Sequence, residues 1–160
     1  MAESEGGGKW FWRWLTNAGI YKAVGRLHTP LYRVTGGLIG HHMAGVTNLL
    51  LTTKGRRSGE PRTVALAYLD DGGHWILIGS HGGNDKHPAW FLNIRANPDA
   101  RIQVGADVVA VRARITVDEE RSKLWAAACE MWPNYARYQT LTTREIPVVV
   151  LDRIEEHQSA

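Results

Sequence analysis

Short strand-like runs joined by tight turns restrict this chain to a mainly antiparallel sheet. Residues 46–53, 63–69 and 74–80 have the composition of strands, and Asp70-Asp71-Gly72-Gly73 is a strong signal for a hairpin between the last two. Strands joined by such short turns run antiparallel to each other. The remaining predicted strands are residues 101–104, 108–117 and 146–154.

The predicted helices lie between these strands. A short helix at residues 89–96 stops before Pro98, and a longer one at residues 118–131 begins with acidic residues that suit a helix N-terminus. Trp132-Pro133 ends that helix, and a second short helix or turn follows. Six strands with helices in a small domain favour an α+β fold, a split β-barrel whose open side is covered by helices.

The 160 residues suit one compact domain with a flexible tail at residues 1–8. Residues 9–45 form a predicted N-terminal helix and loop, and residues 46–155 form the predicted barrel. Residues 9–26 carry aromatic and basic side chains at helical spacing. Such a helix either packs on the domain or lies on a membrane surface, and the sequence leaves both open.

Several classes of protein are disfavoured by the composition. The single cysteine, Cys129, excludes an internal disulfide, and the chain has no signal-peptide core and no apolar run of about 20 residues. We therefore expect a cytoplasmic protein. The histidines have no metal-ligand spacing, so no metal site is expected, and the Rossmann and Walker motifs are absent from the sequence.

Residues 54–62 concentrate the charge of the chain at one turn. Lys54, Arg56, Arg57 and Arg62 with Glu60 give a local net charge of +3, which equals the net charge of the whole chain. Arginine side chains match phosphate or carboxylate oxygens in pairs, so the turn suits a polyanionic small molecule. A solvated basic hairpin is the alternative interpretation.

Several ordered motifs resemble the deazaflavin-dependent nitroreductases, which include F420H2-dependent quinone reductases. These are split-barrel oxidoreductases of actinobacteria that use coenzyme F420. The resemblance covers the chain from about residue 49 to residue 154. Its motifs are the basic turn with its flanking strands (residues 50–62), Gly79-Ser80-His81-Gly82-Gly83, residues 86–93, Ala96-Asn97-Pro98 and residues 132–138.

The resemblance implies where the cofactor binds. F420 carries its charge on a phosphodiester and a polyglutamate tail, which the cations of the basic turn would hold. The glycines after Ser80 would let backbone N–H groups approach the cofactor. A core role for Trp90 stays open. The implied cofactor-binding residues are Lys54, Arg56, Arg57, Pro61, Arg62, Ala65, Ser80, His81, Gly82, Gly83, Lys86, Trp90 and Asn93.

The resemblance also implies the reaction and its acceptor site. Reduced deazaflavin would pass a hydride to a hydrophobic acceptor, such as a quinone (menaquinone, for example), a nitroaromatic or an enone. Tyr135, Tyr138 and Ser80 are the implied catalytic residues, and Trp132 and Ala67 line the acceptor site with the tyrosines. Trp132 and Ala67 stand where a nitroimidazole-activating relative has tyrosine, so we expect a different acceptor preference.

Two alternatives stay open from the sequence. A split barrel that binds FMN would use the same basic turn, because FMN also ends in a phosphate. A non-enzymatic module that binds anionic lipid or nucleic acid is the second. Nucleic acid is disfavoured because the cations cluster at one turn and do not form a stripe between exposed aromatics.

Overall fold

The computed structural model of the chain describes residues 42–43 and 46–155. The predicted tail at residues 1–8, the predicted helix at residues 9–26 and most of the loop up to residue 45 lie outside the described residues. The strands are β1 (His42–Met43), β2 (Val46–Lys54), β3 (Pro61–Ala67), β4 (Leu69–Asp71), β5 (His74–Ile78), β6 (Asp99–Val104), β7 (Asp107–Ile115) and β8 (Val148–Arg153). The helices are α1 (Ala89–Ala96), α2 (Asp118–Met131) and α3 (Asn134–Thr140), and His81–Gly83 forms a 3₁₀ turn.

The strand pairings form a ring in which every pair is antiparallel. The sheet runs in the order β4, β5, β8, β7, β6, β2, and β3 pairs with the other edge of β2. Only Tyr68 separates β3 from β4, so these two strands act as one bent strand that pairs first with β2 and then with β5. The bend closes six strands into a barrel and confirms the predicted α+β barrel.

The barrel interior is filled by one face of each strand. In β2, Leu49 and Leu51 point inward and pair in register with Leu66 and Val64 of β3, which pack on the same core. Helix α1 closes one end of the barrel with Trp90, Phe91 and Ile94. Burial of each large side chain contributes about 1.5–3 kcal/mol. The other interior residues include Trp75, Leu77, Ile102, Val109, Val111, Val149 and Leu151.

A second apolar layer lies between the barrel and the last two helices. The outward faces of β5 and β8 pack against α2 and α3, so both faces of these strands are buried. This accounts for their continuous apolar sequences. Cys129 packs at the edge of this layer, and burial raises the pKa of its thiol, which keeps the thiol protonated. None of the helices in the described residues is long and apolar enough to cross a membrane.

Two local features differ from the sequence prediction. Asp70 and Asp71 belong to strand β4, and the turn itself consists of Gly72 and Gly73, which both have positive φ. At the start of α2, Val117 occupies the N-cap position and no side chain makes a capping hydrogen bond. The carboxylates of the first turn still face the positive end of the helix dipole.

Candidate functional site

The basic turn between β2 and β3 is held by its own backbone. Gly55 N–H donates to the Glu60 carbonyl at 2.8 Å, and Gly59 N–H donates to the Gly55 carbonyl at 2.7 Å. Gly59 has a φ of 73°, a conformation that favours glycine. A Cβ on Gly55 would lie 2.9 Å from Ser58 Oγ and 3.0 Å from the Glu60 carbonyl, so the turn closes tightly around this glycine.

The cations of this turn are exposed and lack carboxylate partners. Among residues 46–155, none of the ion pairs involves Lys54, Arg56, Arg57 or Arg62. Elsewhere in the described chain, Arg112, by contrast, pairs with a carboxylate, at 2.8 Å. Arg56 Nη1 donates to Asn93 Oδ1 and Arg62 Nη2 donates to Ser58 Oγ at 3.3 Å, so these bonds use only part of each guanidinium. The charge excess of the turn is not neutralised by carboxylates of the described residues, and its remaining N–H groups can bind an anionic ligand.

Asn93 ties the basic turn to helix α1. Its Oδ1 accepts hydrogen bonds from the backbone N–H and from Nη1 of Arg56, both at 3.2 Å, and its Nδ2 donates to Thr53 Oγ1 at 3.1 Å. Only 4% of Asn93 is exposed. The structure thus places Asn93 as the residue that orients Arg56, with little surface left for a ligand.

Three predicted site residues share one face of strand β3. Because side chains alternate along a strand, Pro61, Ala65 and Ala67 lie on the face opposite Val64 and Leu66, which face the core. Lys54 of β2 is the register partner of Pro61, so the Lys54 cation lies at the end of this face of β3.

Arg101 lies on the same face of the sheet, on the neighbouring strand β6. Thr52 of β2 is the register partner of both Thr63 and Arg101. Arg101 was not predictable as a neighbour of the turn, because its position depends on the pairing of β2 with β6, which has no local signal in the sequence.

The segment after β5, residues 79–87, is called the glycine loop and has an unusual backbone. His81, Gly82 and Gly83 have φ values of 49°, 63° and 81°, and Ser80 before them is in the right-handed helical region. Gly83 N–H donates to the Ser80 carbonyl at 3.0 Å, and Asn84 N–H donates to the His81 carbonyl at 3.2 Å. Successive N–H groups in such a turn form a concave surface that suits anionic or carbonyl oxygens.

The two glycines of this loop have different surroundings. A Cβ on Gly83 would lie 2.9 Å from both the Tyr138 carbonyl and Leu141 Cβ, so the glycine allows the loop to pack against the end of α3. Within the described part of the chain, a Cβ on Gly82 would meet no atom within 4 Å. The open side of the loop is therefore at Gly82, where a cofactor can approach the backbone.

Arg144 holds the glycine loop from inside, and the sequence analysis did not select it. Its Nη2 donates to the Ser80 carbonyl at 2.8 Å and to the Gly79 carbonyl at 3.1 Å, and its Nε donates to the Asn84 carbonyl at 2.8 Å. These partners lie 60–65 residues away in sequence, so no local pattern identifies the residue.

The two tyrosines of α3 pack edge to face beside the loop. Their ring centroids are 6.4 Å apart, and Tyr135 also packs against Trp125. Tyr135 is only 7% exposed, whereas Tyr138 is half-buried and its carbonyl approaches Gly83. Burial, with smaller contributions from Tyr138 and Cys129, raises the pKa of Tyr135 to about 12, so its hydroxyl stays protonated at neutral pH.

The remaining predicted site residues divide between core and surface. Trp90 is 8% exposed and belongs to the barrel core, which is the role that the sequence analysis left open. Trp132 is half-buried against the layer under α2 and α3. Lys86 is exposed, and its carbonyl accepts a hydrogen bond from His81 Nδ1 at 2.9 Å.

A shallow cleft of about 310 Å³ lies beside α2 and α3. It is lined by Arg121, Trp125, Gln139, Thr143 and Glu145. None of the predicted site residues lines it.

The chain is similar to a known family of enzymes. A family model described as F420H(2)-dependent quinone reductase matches residues 24–153. An F420H(2)-dependent quinone reductase of Mycobacterium tuberculosis (strain H37Rv) is 42% identical over 132 residues, which cover 80% of this chain and 89% of the relative.

Two solved structures are also similar to this chain. A structure of an F420-H2 dependent reductase (FDR-A) is 40% identical with a TM-score of 0.61, and the match covers 66% of this chain and 93% of that one. Another, described as a domain-swapped dimer, is 35% identical with a TM-score of 0.64, and the match covers 82% of this chain and 98% of that one.

Proposed function

The chain belongs to the F420H(2)-dependent quinone reductase family, and on this basis we propose that it reduces a quinone with F420H2. The enzyme is an oxidoreductase, and coenzyme F420 is its hydride donor. The observation that best supports the proposal is the exposed basic turn, whose cations form no ion pair with the described carboxylates and which hydrogen bonds join to the helix that follows the glycine loop.

The residues present fit the anionic end of F420. Lys54, Arg56, Arg57 and Arg62 would hold its phosphate and carboxylates, because arginine forks bind such oxygens in pairs. Asn93 contributes by orienting Arg56 and does not need a contact of its own with the cofactor.

The glycine loop and strand β3 would hold the rest of the cofactor. The open side at Gly82 allows close approach to the backbone N–H groups of His81 and Gly82. Pro61, which is exposed, and Ala65, which is half-buried, present small side chains on one face of β3. Bound in its reduced form, F420 supplies a hydride from its deazaflavin ring.

The acceptor side is formed by the end of α3 and the start of the loop. Tyr138 and Ser80 would donate hydrogen bonds to an acceptor oxygen, on which negative charge develops as the hydride arrives. Tyr135 supports Tyr138 by ring packing and keeps its proton because its pKa is about 12. Trp132 and Ala67 shape the site with an indole and a methyl group.

Turnover with several acceptors tests the proposed reaction. F420H2 oxidation is measured with a menaquinone analogue, with a bicyclic nitroimidazole and without acceptor. We expect oxidation with the quinone and little with the nitroimidazole, because Trp132 and Ala67 lack the hydroxyls of the nitroimidazole-activating relative. No oxidation with any quinone would contradict the proposal.

Tyr138→Phe tests the acceptor side. Removal of one hydroxyl that binds the acceptor should lower kcat about tenfold, as expected for one hydrogen bond, and leave the F420 Kd unchanged. Arg137→Ala, an exposed residue on the same helix, is the control. A rise in the F420 Kd with unchanged kcat would place Tyr138 on the cofactor side.

We also propose that residues 9–26 bring the enzyme to the inner face of the membrane, where a hydrophobic quinone is dissolved. The support is the sequence alone, in which Trp10 and Trp14 alternate with Lys9 and Arg13. The double substitution Trp10→Ser with Trp14→Ser should reduce co-sedimentation with anionic liposomes. Unchanged co-sedimentation would remove this role.

A further inference from the structure

The glycine loop is closed around a single guanidinium group. Three backbone carbonyls, those of Gly79, Ser80 and Asn84, accept hydrogen bonds from Arg144 at 2.8–3.1 Å. A fourth bond runs from Arg144 Nη1 to His87 Nδ1 at 3.3 Å. One side chain thus binds both ends of the loop, which spans residues 79–87.

The backbone of Arg144 is itself fixed on both sides. Its carbonyl accepts a hydrogen bond from Gln139 Nε2 at 2.8 Å, and its N–H donates to Thr142 Oγ1 at 3.3 Å. Thr142 Oγ1 in turn donates to Asp85 Oδ1 of the loop at 2.8 Å. The segment after α3 and the glycine loop are therefore joined by side chains from both sides.

The other polar groups near His87 are consistent with this arrangement. Burial, Arg144 and Arg95 lower the pKa of His87, so the ring stays neutral and its Nδ1 can accept the arginine proton. Burial lowers the pKa of Arg144, and Asp85 opposes that shift. The guanidinium remains charged at neutral pH because its ordinary pKa is so high.

The guanidinium determines which backbone groups of the loop face outward. Because the carbonyls of Gly79, Ser80 and Asn84 point toward Arg144, they are turned away from the open side of the loop at Gly82. The loop also holds His81, a non-glycine residue, at a φ of 49°. Such a conformation is unfavourable for a residue with a Cβ and persists only when the surroundings enforce it.

We propose that Arg144 is a positioning residue for F420 binding, which holds the glycine loop in its binding conformation without touching the cofactor. The inference rests on the proposed function, because it assumes that the loop binds F420. It predicts that the loop loses order when the guanidinium is removed, while the barrel stays folded.

The test compares Arg144→Ala and Arg144→Lys with the unsubstituted protein. Amide hydrogen exchange in the absence of ligand reports on the loop through the N–H groups of Gly83 and Asn84, and on the barrel through those of β8. Fluorescence titration gives the F420 Kd. Arg112→Ala, which removes a surface cation that pairs with Asp99, is the control.

We expect faster exchange at Gly83 and Asn84 in Arg144→Ala, unchanged exchange in β8, and a Kd raised about tenfold, the scale expected when a loop must be ordered on binding. Arg144→Lys should raise the Kd by less than Arg144→Ala, because an ammonium keeps the charge and some of the hydrogen bonds. It should still raise the Kd, because an ammonium cannot reach all four acceptors. Added guanidinium chloride, but not sodium chloride, should restore the affinity of Arg144→Ala.

Unchanged loop exchange and unchanged F420 Kd in both variants would overturn the inference. If Arg144→Ala does not fold, Arg144→Lys decides by the same two measurements. Absence of F420 binding by the unsubstituted protein would refute the proposed function. Equal F420 binding by all variants would refute only the role of Arg144.

Discussion

At the scale of single residues, Asn93 joins two parts of the site that are 37 residues apart in sequence. Its side-chain amide satisfies the backbone and the guanidinium of Arg56 on one side and Thr53 on the other. A buried amide with all of these bonds is costly to replace, because each partner would lose its hydrogen bond inside the protein.

Asn93→Ala should therefore destabilise the protein by about 1–3 kcal/mol, the cost of unpaired buried polar groups. It should also raise the F420 Kd, because Arg56 is no longer oriented. Urea unfolding and fluorescence titration measure the two effects, with Asn97→Ala as the control near the end of the same helix. An unchanged Kd would show that Arg56 does not depend on Asn93.

Tyr135 makes the free energy of unfolding depend on pH in the alkaline range. Burial raises its pKa from 10.0 to about 12, so the folded state holds the proton longer than the unfolded state. The associated stability is complete below pH 10 and is lost as the pH rises from 10 toward 12. Near pH 11.5 the loss should be about 2 kcal/mol relative to pH 8.

Tyr135→Phe removes this dependence. The free energy of urea unfolding is measured for both proteins at pH 8 and near pH 11.5, and the difference between them isolates Tyr135 from other titrating groups. We expect the unsubstituted protein to lose more stability than the variant. Equal losses would mean that Tyr135 titrates normally in the folded state.

The residues that the sequence predicted best are those with local signals. The basic turn is evident because its cations are adjacent in sequence, and the structure leaves them exposed and unpaired by described carboxylates. Arg144 and Arg101 were missed because their partners come from distant segments. A core role for Trp90 was already open from the sequence, whereas the burial of Tyr135 had no local signal, since an aromatic residue has the same pattern in a core and in a site.

At the scale of elements, the helices after residue 88 agree with the sequence prediction. Helices α1 and α2 have the predicted bounds, because Pro98 and Pro133 punctuate the sequence near their ends. The predicted cap of α2 is wrong, since no side chain bonds the first turn.

The two glycines of the loop give a prediction at this scale. Gly83→Ala should destabilise the protein by about 2–5 kcal/mol, because the new Cβ meets the Tyr138 carbonyl and Leu141 in addition to backbone strain. Gly82→Ala should cost only the strain, about 1–2 kcal/mol, because its Cβ points into open space.

Substitution of Gly82 should affect F420 binding more than it affects the stability of the protein. Thermal unfolding ranks the two variants, and F420 titration of Gly82→Ala then measures how closely the cofactor approaches the loop. A clear loss of affinity is expected. Unchanged affinity in Gly82→Ala would mean that the cofactor does not contact this side of the loop.

At the scale of the whole molecule, the site depends on how the barrel closes. The bent strand formed by β3 and β4 pairs with β2 at one end and with β5 at the other, so it places the basic turn and the glycine loop on one closed sheet. The sequence indicated hairpins and a mainly antiparallel sheet. It could not specify the pairing of β2 with β6 or β5 with β8, because those contacts join distant segments.

Titration with F420, run in parallel with FMN, is the most direct test of whether the basic turn binds F420. The unsubstituted protein should bind F420 much more tightly than FMN. Arg56→Ala with Arg57→Ala should raise the F420 Kd at least about 10²-fold, since each charge-assisted contact contributes about 1.5–3 kcal/mol. Arg112→Ala with Arg153→Ala, which removes the same charge from β7 and β8, should leave it unchanged. Tighter binding of FMN, or equal F420 affinity in all three proteins, would contradict the account.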